Sequence, residues 1–146
     1  MSRKPVETYE LDREVFERLK QGKDTFDDWQ GAASGIADYV ASWGVERFWA
    51  MSRSPILRGG ETSKEKDEKE GRRYFAWGVA REVLCKIVGN DFKIRQDMTT
   101  EEFQDRFRDL EFNQQVLLTD LLMEVSETIQ FWTMRLKDAR ESKIEP

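Results

Sequence analysis

The chain has 146 residues, 38% of them apolar, 12% aromatic and 36% charged, with a net charge of −5; this suits one domain without a global cationic field. It has no histidine and one cysteine, Cys85, which excludes Ser–His and Cys–His nucleophile arrangements, tetrahedral zinc cages and an internal disulfide framework. No apolar run nears the ~20 residues of a membrane span, the first residues lack the apolar core of a secretion signal, and no phosphate-loop or dinucleotide glycine motif occurs.

Residues 1–10 read as a flexible leader, with Pro5 early and no periodicity. A short helix is predicted from Leu11 to Lys20, with Val15, Phe16 and Leu19 on one face and Gly22 as its stop. Asp24 is an N-cap residue type, and Asp27 and Asp28 lie in the following turn, where the helix dipole favours acids. Phe26, Trp29, Ala33, Ile36, Ala37 and Val40 then recur with the helical period. The stripe continues through Trp43, Val45, Phe48 and Trp49 to about Arg53, and Pro55 stops it. Gly31, Gly35 and Gly44 each cost about 1 kcal/mol relative to alanine, which predicts a bend or a close helix approach near them.

Residues 54–72 are the one long irregular stretch. After Gly59-Gly60, residues 61–70 include no apolar side chain. Nothing there offsets the entropy of ordering, so the stretch is expected to be a mobile charged loop, with a segment that orders on a partner as the alternative.

From Arg72 to Gly89 the chain is strongly apolar, with Tyr74, Phe75, Trp77, Val79, Ala80, Val83, Leu84, Ile87 and Val88. These cover more than one narrow stripe, which predicts a central helix ending at Gly89-Asn90. Cys85 falls within it and reads as a small core residue in a reducing cytoplasm. A linker from Asp91 to Met98 leads to Thr99 and Glu102, which have capping-box spacing ahead of a short helix burying Phe103, Phe107 and Leu110. The last helix is expected from about Asn113 to Arg140. Its stripe of Leu118, Leu121, Leu122, Val125, Ile129, Trp132 and Leu136 is the clearest periodic signal in the chain. Lys137, Arg140 and Lys143 complement the dipole at its end, and residues 141–146 read as a flexible tail. No strand pattern competes. The fold class is therefore all-α: one domain over residues 1–146, a bundle of about five helices with two long ones against the central helix.

Without histidine, the remaining routes to chemistry are carboxylates with a hard metal, or a lysine. Asp27-Asp28 and Glu101-Glu102 are adjacent on helices and point about 100° apart, so they do not converge. Glu124 and Glu127 share a face at i,i+3 spacing, which a solvated helix surface explains equally well. No catalytic, metal-binding or cofactor-binding residue is expected, and the chain reads as a binding protein rather than an enzyme.

Three groups of cations lie beside aromatics. Arg47 and Arg53 flank Phe48-Trp49, with Arg58 just beyond; Arg72 and Arg73 precede Tyr74-Phe75, with Arg81 and Lys86 further on; Arg135 and Lys137 follow Phe131-Trp132. Such pairs suit phosphate contact over a rigid apolar underlay. Ordinary surface cations whose stems cover the core give the same pattern.

The segment Gly44-Val45-Glu46-Arg47-Phe48-Trp49-Ala50-Met51-Ser52-Arg53 has a glycine, then apolar and aromatic residues, then a polar-basic step. Together with the aromatic-led helix Tyr74 to Val88 and the closing Phe131-Trp132-Thr133-Met134-Arg135-Leu136-Lys137-Asp138-Ala139, it resembles the small-subunit (Cmr) family of type III-B CRISPR effector complexes from about Tyr39 onward. That resemblance implies a small helical, non-catalytic subunit of an antiviral ribonucleoprotein. Such a subunit stacks with copies of itself and other subunits beside guide RNA and target RNA, touching backbone rather than reading bases. Arg47, Arg53, Arg135 and Lys137 are the matching contact positions, with Arg58 next to the first pair. A protein–protein adaptor or inhibitor without RNA contact is the alternative, favoured by the negative charge and by aromatic-rich helices that could face a partner.

Overall fold

The computed structural model describes residues 8–21, 26–53 and 75–145, with the side chains of 8, 26–34 and 75 excepted. Among them are six α-helices and no strand: α1 Thr8–Lys20, α2 Phe26–Trp43, α3 Val45–Arg53, α4 Phe75–Phe92, α5 Thr100–Asp109 and α6 Phe112–Ser142. The all-α, single-domain bundle read from the periodicity is the observed fold. The expected loop at 54–72, Arg58, the stop at Gly22, the cap at Asp24 and the residues Arg72 to Tyr74 lie outside the described residues.

Helix α1 starts three residues inside the stretch expected to be a leader. Leu11, Val15 and Leu19, one per turn, are buried on its inner face. Beside them Phe16 meets the Trp132 ring edge-on at 5.1 Å. Trp132 Nε1 donates to Asp12 Oδ1 at 3.0 Å and so fastens α1 to α6. Arg18 bridges Glu14 at 2.6 Å and Glu82 of α4 at 3.5 Å.

One helix from about Asp24 to Arg53, with a bend or close approach near its glycines, was expected, and the chain makes two. The helix passes uninterrupted through Gly31 and Gly35 and breaks at Gly44, whose φ is +91°. A new register then buries Val45, Phe48, Trp49 and Ser52 at i, i+3, i+4 and i+7. A Cβ on Gly44 would meet nothing within 4 Å, so its requirement is conformational alone. Gly44→Ala is expected to lower stability by about 1–2 kcal/mol, the cost of a left-handed L-residue. It should read as a lower urea midpoint with an unchanged m-value. A stability gain, normal for Gly→Ala inside a helix, would contradict the break.

Gly89-Asn90 does not end α4, which continues to Phe92. The reversal comes at Lys93, with φ 56°, and the Ile94 N–H donates back to the Gly89 carbonyl at 3.0 Å. Gly89 serves a different purpose from a stop. A Cβ there would lie 2.8 Å from the Ile94 carbonyl oxygen, so glycine lets the chain fold back over the last turn. The expected linker is correspondingly no loose connection: Phe92, Ile94 and Met98 are all buried. Cys85, half-buried on α4, has its thiol pushed up to about 12 by burial, which keeps it protonated and suited to packing.

The capping box ahead of α5 is present. The Glu102 N–H donates to Thr99 Oγ1 at 3.1 Å and the Thr99 N–H to Glu102 Oε1 at 3.0 Å. The Thr99 backbone bond is the main influence holding the Glu102 carboxyl below its usual range. Phe103 and Leu110 are buried and Phe107 half-buried, as the spacing predicts. Along α6 the expected stripe faces inward, with Leu118, Leu121, Leu122, Val125, Ile129 and Leu136 buried and Trp132 half-buried. Helix α4 touches α1, α2, α3 and α6, yet the most extensive packing runs between α2 and α6. The centre of the bundle is therefore shared between α4 and α6. Among the described residues no helix is long and apolar enough to cross a membrane.

Candidate nucleic-acid interface

Among the described residues, the elbow between α2 and α3 presents an exposed aromatic–cation pair. Trp43, last residue of α2, is 56% exposed, and the Arg47 guanidinium lies over its ring at 4.6 Å. Trp43 was expected in the buried stripe. The Gly44 break ends the α2 register at that point, and the indole falls outside the inner face. The sequence neighbours of Arg47, Phe48 and Trp49, are both fully buried instead. Arg47 therefore has its aromatic underlay, supplied by Trp43 from across the Gly44 break.

Arg53, at the end of α3, is half-buried and directs Nη1 toward the Gln96 carbonyl at 3.4 Å, while its charge acts on Arg81 of α4. The Arg81 Nη1 donates to the Ser52 carbonyl at 2.6 Å and to Ser52 Oγ at 3.1 Å. Its Nε is buried without a partner. Burial first, and the neighbouring Arg53 second, push the Arg81 guanidinium below its ordinary range. Arg53 and Arg81 form a cationic corner where the end of α3 meets α4.

Arg135 and Lys137 are half-buried in the last third of α6. Two residues apart on a helix, they project about 200° apart around its axis and cannot present one patch. The structure thus joins Arg47 to Trp43 and Arg53 to Arg81, but leaves the α6 pair divided between two sides. No family model, curated protein or solved structure matches the chain.

No group of three or more Cys, Asp or Glu side chains among the described residues is placed to hold a metal ion. A hollow of about 10 Å³ between α1, α4 and α6 is lined by Leu11, Leu84, Ile87, Val88, Leu121 and Val125, with Glu124 at its edge. Its walls are almost wholly apolar, and it has room for about one water. Glu46 Oε1 comes within 3.1 Å of Arg108 Nη2 but makes no hydrogen bond. The approach is close enough for an ion pair without a donor aimed at the oxygen, and it links α3 to α5 only loosely because Arg108 is largely exposed.

The sequence reading passed over a second feature, the outward side of α6. Phe112, Val116, Leu117, Phe131 and Met134 are exposed there by 39–79%. At 100° per residue Phe112, Val116, Phe131 and Met134 fall opposite the buried stripe, in two groups at the ends of that side.

Proposed function

We propose that this chain is a non-catalytic structural subunit of a CRISPR RNA-guided antiviral effector of the type III-B kind. In this reading it works in the cytoplasm, stacks with copies of itself and other subunits along the guide RNA–target RNA filament, and touches RNA backbone. The observation that carries the reading is the exposed Arg47–Trp43 pair. It sits at the start of the Gly44–Arg53 segment on which the family resemblance rests, and it combines a guanidinium for phosphate with a ring for stacking. The Arg53–Arg81 corner supplies a second cationic position at the far end of the same helix.

Binding of the full chain to a short single-stranded RNA across a salt series tests this. Each phosphate contact contributes about 0.7 to the slope of log affinity against log salt. Arg47→Ala is the cleanest probe because its guanidinium rests on an exposed ring, and it should weaken binding and flatten that slope. Adding Arg53→Ala, Arg135→Ala and Lys137→Ala should flatten it further while the helical circular dichroism stays unchanged. Equal affinity and slope in the fourfold variant would remove these positions from any RNA interface.

A second reading, a protein–protein adaptor or inhibitor with no RNA contact, is favoured by the exposed apolar residues of α6. It predicts no salt-dependent RNA association and a partner contact that is far less sensitive to salt.

A further inference from the structure

Helix α6 is 31 residues long, against 18 in α2 and α4, and the side it turns away from the core has its own pattern. At 100° per residue, Phe112, Val116, Phe131 and Met134 fall on the side opposite Leu118, Leu122, Val125 and Ile129. Phe112 is 79% exposed and Phe131 58%. These two apolar ends are about five turns, or about 28 Å, apart. Between them lie Asp120, Glu124 and Glu127, all exposed and in no ion pair among the described residues. No lysine or arginine occurs anywhere from Asp109 to Met134. The face is thus apolar at both ends and purely acidic in the middle.

That charge pattern selects among occupants. RNA is repelled along the length of the face. A second copy laid against the same face would bring acid against acid, which disfavours a symmetric contact. A cationic partner gains at each acid and can fill both apolar ends. We infer that the outward face of α6, from Phe112 to Met134, docks an amphipathic helix of a different protein. Apolar anchors at its two ends would meet Phe112–Val116 and Phe131–Met134, with lysines or arginines between them opposite Asp120, Glu124 and Glu127. The inference concerns a face separate from Arg47 and stands independently of RNA contact at the α2–α3 elbow.

The test uses the full chain and two labelled synthetic peptides of one amphipathic helical design, leucine on the apolar face and either lysine or glutamate beside it. Anisotropy should show binding of the lysine peptide and none of the glutamate peptide. Phe131→Glu should weaken the lysine peptide by about tenfold or more. The combined Asp120→Lys, Glu124→Lys and Glu127→Lys variant should exchange the preference and bind the glutamate peptide, a result that non-specific stickiness or misfolding does not give. Because all four positions are exposed, thermal unfolding of both variants should match the parent. Equal lysine-peptide binding by parent and variants overturns the inference. Displacement of the peptide by RNA overturns it in favour of a nucleic-acid surface, and a dimer that Phe131→Glu dissociates overturns it in favour of self-association.

Discussion

Trp49→Ala is expected to remove about 3–5 kcal/mol of folding stability, the range for deleting a fully buried aromatic side chain. Trp49 is fully buried, its ring stacks on Phe103 of α5 at 4.1 Å and 9°, and its Nε1 donates to the Met98 carbonyl at 2.9 Å. One side chain thus ties together α3, the 93–99 segment and α5. Helix α5 is held chiefly by α3, so truncation leaves both a cavity and an unpaired buried carbonyl where α5 docks. Against a total stability of about 5–15 kcal/mol, the loss is a large fraction. Trp49→Phe keeps a ring against Phe103 but drops the Nε1 bond, and should cost about 1–3 kcal/mol. Denaturant midpoints of the two variants separate packing from hydrogen bonding. An alanine variant losing under about 1 kcal/mol would mean that α5 is docked by something other than this stack.

The legible parts of the fold were those in which one period runs unbroken. The α6 stripe from Leu118 to Leu136 and the Thr99–Glu102 capping box appear in the structure as read, because each depends only on local spacing. The bend expected near Gly31, Gly35 and Gly44 occurs at Gly44, but which glycine would break the helix was illegible for a physical reason. Ile36 and Val40 before it and Val45, Phe48 and Trp49 after it are compatible with one slightly irregular stripe, and glycine does not announce the sign of its φ. At Gly89 the glycine was noticed but given the wrong role, since the close approach of Ile94 depends on a turn four residues further on.

The candidate site was partly legible for a related reason. Arg47 was singled out for lying beside Phe48 and Trp49, yet residues adjacent in a helix point about 100° apart, and both of those rings face the core. Its ring is Trp43, the last residue of α2, which the Gly44 break turns to meet Arg47 of α3. Arg135 and Lys137 drew attention by the same adjacency and project to different sides. The contact at the elbow depends on the φ of Gly44, which helical spacing alone does not give.

Arg81→Ala is expected to cost about 2 kcal/mol, the order of hydrogen bonds from a charged donor. Arg81 donates to the carbonyl of Ser52, in the last turn of α3, where cations complement the carbonyl end of the helix dipole. Opposing that gain are partial burial of the guanidinium, an Nε without a partner and the neighbouring positive charge of Arg53. The balance still favours Arg81, because its removal strips a charged donor from Ser52 and unfastens α3 from α4. Arg53→Ala should behave oppositely. Its 3.4 Å contact with the Gln96 carbonyl is weak, so its loss should change stability by less than about 1 kcal/mol, and relief of the repulsion on Arg81 offsets part of even that. A double-mutant cycle on urea midpoints reads the coupling directly. If Arg53→Ala costs as much as Arg81→Ala, the corner is held by both arginines and Arg53 is a structural clamp. If Arg53 is nearly silent in stability but its substitution weakens RNA association, the bundle tolerates two close cations at a site where a phosphate would neutralise them.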